Sequence, residues 1–222
     1  MTMEAARTHL SSLISGLAAL FDTEGRDGGA LAAIRLRASL RAQFRRSSSE
    51  HSPGALLSEA CALEGALALC QHVRHANPLL EWTLWEGEGL ATDISARLFT
   101  TELLGPDGHF PAEDVRVGLL VSDRQTDYPL SSHSGEETYI VLAGTAEWIV
   151  GDTPYTPKPP GAFIHHPAWT LHGRRTLEEP FVGAWRWSGD LDLTNFFGGI
   201  GQFRTRAAPP EYVRPWPHRS AR

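Results

Sequence analysis

The chain has 222 residues, 41% of them hydrophobic and 21% charged, a balance that excludes a disordered segment and fits one large folded domain or a smaller one with an extension. A formal net charge of −6 leaves no face-wide excess of Lys and Arg, which argues against a nucleic-acid-binding protein. The two cysteines, Cys61 and Cys70, match neither a CxxC pair nor a disulfide scaffold and read as buried, inert thiols.

Met1 to Leu20 lacks a basic region followed by an uninterrupted apolar core. No stretch reaches the ~18 apolar residues of a membrane span. A cytoplasmic protein with no membrane partner is therefore expected. Leu10, Leu13, Ile14, Leu17 and Phe21 recur at helical spacing and form one apolar stripe. Asp27-Gly28-Gly29 reads as a break, and Ala30 to Arg46 resumes the pattern through Leu36, Leu40 and Phe44. The basic patch from Arg35 to Arg46 reads as a solvated helix face. Ser47 to Gly54 is a polar linker with Pro53-Gly54 as its breaker and His51 as a loop residue. A third helix is expected from Leu56 to about Ala76, with His72 and His75 near the negative pole of its dipole.

From about Leu80 helical periodicity gives way to short β-type runs. The candidates are Ala96 to Leu103, Val115 to Ser122, Glu137 to Leu142, Ala146 to Val150, Ala162 to His166 and Phe181 to Trp187. Such runs, with no helices between them, indicate an antiparallel sandwich or barrel. The division expected is a helical region over 1–80 and a β-barrel domain over 81–222. Pro209, Pro210, Pro215 and Pro217 predict an extended tail at its end.

The stretch from Tyr128 to Gly144 carries the chemistry. Alternate residues of an extended chain point the same way, so Ser131, His133, Glu137, Tyr139 and Val141 are expected on one face. An imidazole, a carboxylate and a phenol suit a metal site better than a dry core. Downstream, Pro160-Gly161, a strand, Pro167 and then His172 could return a second imidazole to the same barrel mouth. Each histidine alone reads better as a strand-end cap. Paired in this order, His133, Glu137 and His172 form the facial set suited to a divalent first-row ion with open positions.

These two segments resemble the two cupin motifs, a first block of His-x-His, Glu and a closing Gly, and a second of Pro-Gly and a later His. Ser131 stands where the first histidine is usual, so the resemblance implies three firm protein ligands, His133, Glu137 and His172. It leaves His165 and His166 at positions that do not ligate. Tyr128-Pro129 and Glu137-x-Tyr139 further resemble the cupin-type dimethylsulfoniopropionate (DMSP) lyases, the group containing DddL, DddQ and DddW, and most of all DddL and DddQ. The likeness covers about residues 80 to 200 at the level of fold. It implies a mainly β cupin fold, an antiparallel jelly roll behind an α-helical region. It implies cleavage of DMSP to dimethyl sulfide and acrylate with one divalent transition metal ion (Fe, Mn, Zn, Ni or Co). Tyr139 is then the general base and Tyr128 an orienting residue, while the metal binds the carboxylate of the zwitterionic sulfonium substrate.

A sulfonium calls for aromatic faces, and Trp185 and Trp187 alternate about Arg186 on the last strong strand, so both rings point to one side. Trp187 is the better choice by analogy, with Trp148 and Trp169 as alternatives. The N-terminal helices either make a homodimer or only cover the barrel. The rival readings are another metal-dependent cupin chemistry, a dioxygenase or an isomerase, and a non-catalytic small-ligand-binding cupin. The first usually keeps the full His-x-His pair that Ser131 breaks.

Overall fold

The computed structural model describes residues 2–45, 49–85 and 96–192, and the backbone of 196–198. The proline-rich tail from Pro209 lies outside the described residues, as does part of the Ser47 to Gly54 linker. Four helices come first: α1 (Met3–Asp22), α2 (Asp27–Ser39), α3 (Gly54–Ala60) and α4 (Leu69–Ala76). The strands are β1 (Thr83–Leu84), β2 (Leu98–Gly105), β3 (Phe110–Pro111), β4 (Val115–Ser122), β5 (Asp127–His133) and β6 (Glu136–Ala143). They continue as β7 (Ala146–Val150), β8 (Thr156–Lys158), β9 (Phe163–His166), β10 (His172–Thr176), β11 (Phe181–Ser188) and β12 (Phe196–Gly198).

Two helical expectations need correction. Gly28 and Gly29 do not break the chain but lie inside α2. A Cβ on Gly28 would strike the Arg186 side chain, so glycine here lets the start of α2 sit directly over β11. The third helix, expected unbroken from Leu56 to Ala76, is split into α3 and α4. Gly65 takes φ +79 between them, and Leu67 donates its N–H to Leu142 O at 2.8 Å, hooking the connection onto β6.

The strands form two sheets. The larger runs β1-β2-β4-β11-β6-β9 with β3 beside β2, and the smaller runs β12-β5-β10-β7-β8. Apart from the short β2–β3 pair, the pairings are antiparallel, giving the jelly roll of a cupin with a helical region ahead of it. The helices cover the outer face of the larger sheet. Leu13, Leu17, Phe21, Ala33 and Leu36 share one core with Val117, Leu119, Leu142 and Ala184. Strand β4 is buried on both faces, which explains its nearly continuous apolar run. Cys61 and Cys70 are free and buried, as expected.

On β11 the alternation is sharp: Trp185 and Trp187 point into the barrel, while Arg186 points out toward the helices. Arg186 is fully buried and donates to Glu24 through Nε at 3.0 Å and through Nη2, and to Glu136 Oε1 at 2.8 Å. Removing one partner of a buried pair leaves an uncompensated charge, at a cost of about 3 kcal/mol or more. Glu24→Ala should therefore lower the thermal midpoint by roughly 10 °C. An unchanged melting curve would show that Glu136 alone suffices.

Candidate metal centre

The site is built where the two sheets face each other. Tyr128 to Gly144 is not one continuous strand. β5 belongs to the smaller sheet and β6 to the larger, joined by the turn at Ser134-Gly135. The expectation of one shared strand face is corrected accordingly: His133 lies on β5 and Glu137 and Tyr139 on β6. They still converge, because the turn folds one sheet over the other. His172 opens β10, paired with Ser131 of β5 on one side and Val150 of β7 on the other.

The donor atoms of His133, Glu137 and His172 lie within 4.8 Å of one another, and all three residues are buried. His133 Nδ1–H donates to Gly135 O at 2.9 Å and His172 Nδ1–H to Thr170 O at 2.8 Å. A carbonyl only accepts, so Nδ1 carries the proton in both rings. Each Nε2 then faces Glu137 Oε2, at 3.2 Å from His133 and 3.7 Å from His172. Backbone carbonyls that fix the outer nitrogen are the usual orienting support of metal-ligating histidine. Burial holds the His172 imidazole well below its usual pKa, and the neighbouring His166 and His133 add to that. Desolvation works against ionisation of Glu137, but the imidazoles of His133 and His166 beside its Oε2 win and hold its carboxyl well below the usual range. A neutral imidazole lone pair and an ionised carboxylate aimed at each other are the donors a divalent first-row ion requires.

His166 completes the arrangement. It lies on β9, fully buried, its Nδ1–H donating to Glu137 Oε2 at 3.1 Å and its ring stacked on His172 at 3.8 Å. It thus supports a ligand, consistent with its non-ligating place in the motif. A second group, Glu24, Glu136 and His165, also brings donors together. There Arg186 occupies both carboxylates, so a cation is already in place.

The centre opens into a cavity of about 550 Å³, lined by Tyr128, Tyr139, Trp85, Trp148, Trp185 and Trp187, and by Arg174. Trp187 is 5% exposed and stacks on His133 at 4.0 Å. Trp148 packs against Tyr139 at 4.8 Å and Phe181 at 6.0 Å. Trp169 is a loop residue with φ 60, whose N–H donates to His133 O at 2.7 Å. Tyr128 accepts from Trp85 Nε1 at 3.0 Å, and burial pushes its phenol up to about 12. Burial also pushes Tyr139 well above its usual value; Glu137 adds to this and Arg174 opposes it. To act as a base, the role the resemblance implies for it, this phenol has to overcome its own surroundings.

Two residues of the cavity were not legible as site residues, Arg174 and Trp85. Arg174 follows His172 by two residues, so alternation along β10 would have placed it on the same face, had His-Gly-Arg-Arg-Thr read as a strand.

The histidine shifts fix the acid behaviour of metal-stripped protein. Unfolded histidine takes up protons as pH falls through ~6.5, while His166 and His172, held low by burial, do not. The unfolded chain then binds more protons, so stability is full above that pH and is lost as pH falls below it. Glu137 extends the loss below ~4.5, where only the unfolded carboxyl protonates. The thermal midpoint of chelator-treated protein should drop steadily between pH 7.5 and 5. A flat profile would contradict the buried neutral imidazoles.

Comparison with known proteins gives a consistent set of relatives. A family model described as dimethylsulfoniopropionate lyase matches residues 32–183. The dimethylsulfoniopropionate lyase DddQ of Ruegeria pomeroyi is 30% identical over 118 residues, 53% of this chain and 59% of that protein. The match thus spans less than two thirds of the curated relative. Among solved structures, one described as the DMSP lyases RdDddP and RnDddQII superposes with a TM-score of 0.66 at 22% identity, covering 87% of this chain and 99% of the other. DddQ from Ruegeria pomeroyi superposes with a TM-score of 0.64 at 25% identity, covering 86% of this chain and 94% of that one. Among the described residues no helix is long and apolar enough to cross a membrane.

Proposed function

The chain belongs to the dimethylsulfoniopropionate lyase family, and from that premise we propose that it cleaves DMSP into dimethyl sulfide and acrylate at the His133–Glu137–His172 centre. The observation that carries the reading is the convergence of two oriented imidazoles and an ionised carboxylate at the floor of a cavity walled by two tyrosines and four tryptophans.

The reaction is a β-elimination. A proton leaves the carbon beside the carboxylate, the carbon–sulfur bond breaks at the next carbon, and its electron pair departs with dimethyl sulfide. His133, Glu137 and His172 would hold one divalent transition metal ion. When bound it would supply positive charge for the carboxylate end of the substrate and for the phenolate form of Tyr139. Tyr139 removes the proton, and support for this comes from its place on β6, two residues beyond Glu137 and inside the same cavity. Tyr128, held by Trp85 Nε1–H, orients the substrate. Trp187, with Trp185 beside it, presents indole faces to the sulfonium. The helical region assigned to residues 1–80 covers the outer face of the larger sheet and contributes Arg45 to the cavity, whose other described lining residues belong to the β domain assigned to 81–222.

The test is release of dimethyl sulfide into the headspace by metal-stripped protein resupplied with Mn, Fe, Co, Ni or Zn. Gas should appear with at least one ion and vanish on chelation. Silence under every ion would overturn the lyase reading and favour a cupin that binds without turnover.

A further inference from the structure

Three arginines are buried among the described residues, and their surroundings differ. Arg116 meets Glu102 at 2.6 Å and Asp107 at 3.1 Å, and Arg186 lies between Glu24 and Glu136. Arg174, only 4% exposed, makes no ion pair among the described residues, and its buried Nη2 has no hydrogen-bond partner. Instead its guanidinium carbon stands 5.6 Å from the ring of Tyr128, 5.9 Å from Tyr139, 5.4 Å from Trp148 and 5.5 Å from Phe181. Ring faces and a hydrogen bond with the Tyr139 phenol offset part of the cost of burying a cation, but neither supplies an anion and Nη2 still needs an acceptor. A buried charge without an anion is expensive to keep, so an anion from outside is the natural complement. Glu137 cannot serve, because its carboxylate is turned toward His133 and His166. Arg174 lines the cavity, two residues along β10 from His172, a separation of roughly 7 Å.

We propose that Arg174 is a carboxylate subsite, gripping the acid end of a short monocarboxylate through paired N–H···O bonds beside the metal centre. This deepens the lyase reading, on which it rests for the identity of the substrate. A carboxylate has lone pairs enough to serve a guanidinium and a second electrophile together. The same positive charge drives the sulfonium end of a zwitterion toward the indoles of Trp185 and Trp187. The cavity is thereby polar along one axis, and substrate enters it in one orientation.

Calorimetric titration of acrylate, with neutral acrylamide as control, tests the subsite on the full chain, both as purified and after chelation. Wild-type protein should bind acrylate in both forms and should not bind acrylamide. Arg174→Met should weaken acrylate binding about tenfold or more, and Arg174→Lys should fall between. Equal affinity in wild type and Arg174→Met overturns the proposal, as does failure of chelated wild type to bind. Should Arg174→Met not fold, the lysine variant and the acrylamide control decide: undiminished binding by the first, or equal binding of the second, has the same force. Failure of the two readings is separable. Acrylate binding through Arg174 without any dimethyl sulfide release sinks the lyase reading alone. Gas release at an unchanged KM in Arg174→Met sinks the subsite alone.

Discussion

Replacing Tyr139 by Phe is expected to abolish dimethyl sulfide release while leaving the metal content of the protein nearly intact. The substitution removes one oxygen and keeps the ring, whose contacts with Trp148 at 4.8 Å and His166 at 5.7 Å are made by carbon. Nothing in the barrel needs to move. A positioned general base contributes typically 10²–10⁴-fold, so the loss should be of that order or greater. Metal analysis beside the headspace assay makes the result diagnostic. Loss of metal together with activity would make the phenol a ligand rather than the base, and near-normal turnover would remove it from the mechanism.

His172→Ala should empty the centre. The imidazole offers Nε2 to the site from a ring fixed at Thr170 O and stacked on His166, and alanine supplies no donor in its place. Loss of a residue that merely supports a ligand costs 10–100-fold in metal affinity, and loss of a ligand should exceed that. The metal content of the purified variant should fall to background and activity with it. Full retention of metal would show that the ligand set is wrong. His166→Ala offers an informative contrast. It removes a hydrogen bond to Glu137 and no donor from the set, so metal should bind more weakly but still bind.

How far the sequence reveals this molecule depends on where each segment lies. Val115 to Ser122 and Ala146 to Val150 coincide with β4 and β7 as expected, because burial wrote apolar runs or alternation into them. β10 was not legible as a strand, and β5 was legible only as the start of the extended Tyr128 to Gly144 stretch, not as a strand of its own. His-Gly-Arg-Arg-Thr faces a polar cavity, so its inward positions are His172 and Arg174 rather than Val or Ile. Ser131 and His133 likewise stand where an apolar pattern would be looked for. The function of the site erased the periodicity that would have announced its strands. The same holds for the helices: Gly28 of α2 serves close approach to Arg186, a contact between parts of the chain far apart in sequence. The ligand trio could be read only through motif order, since each histidine taken alone favoured strand-end capping.

Glu137 comes from the larger sheet, and His133 and His172 come from the smaller. An ion held by all three would therefore rivet together two layers packed face to face. Its affinity becomes a gauge of how firmly the layers are seated, and its presence raises the free energy needed to part them. The outer face of the larger sheet is clamped by helices through Arg186 and Glu24, which hold Glu136 and Thr138 on either side of Glu137. Loosening that clamp should therefore register as faster metal loss before it registers as unfolding, which makes the helical region a custodian of the site from the other face of the sheet.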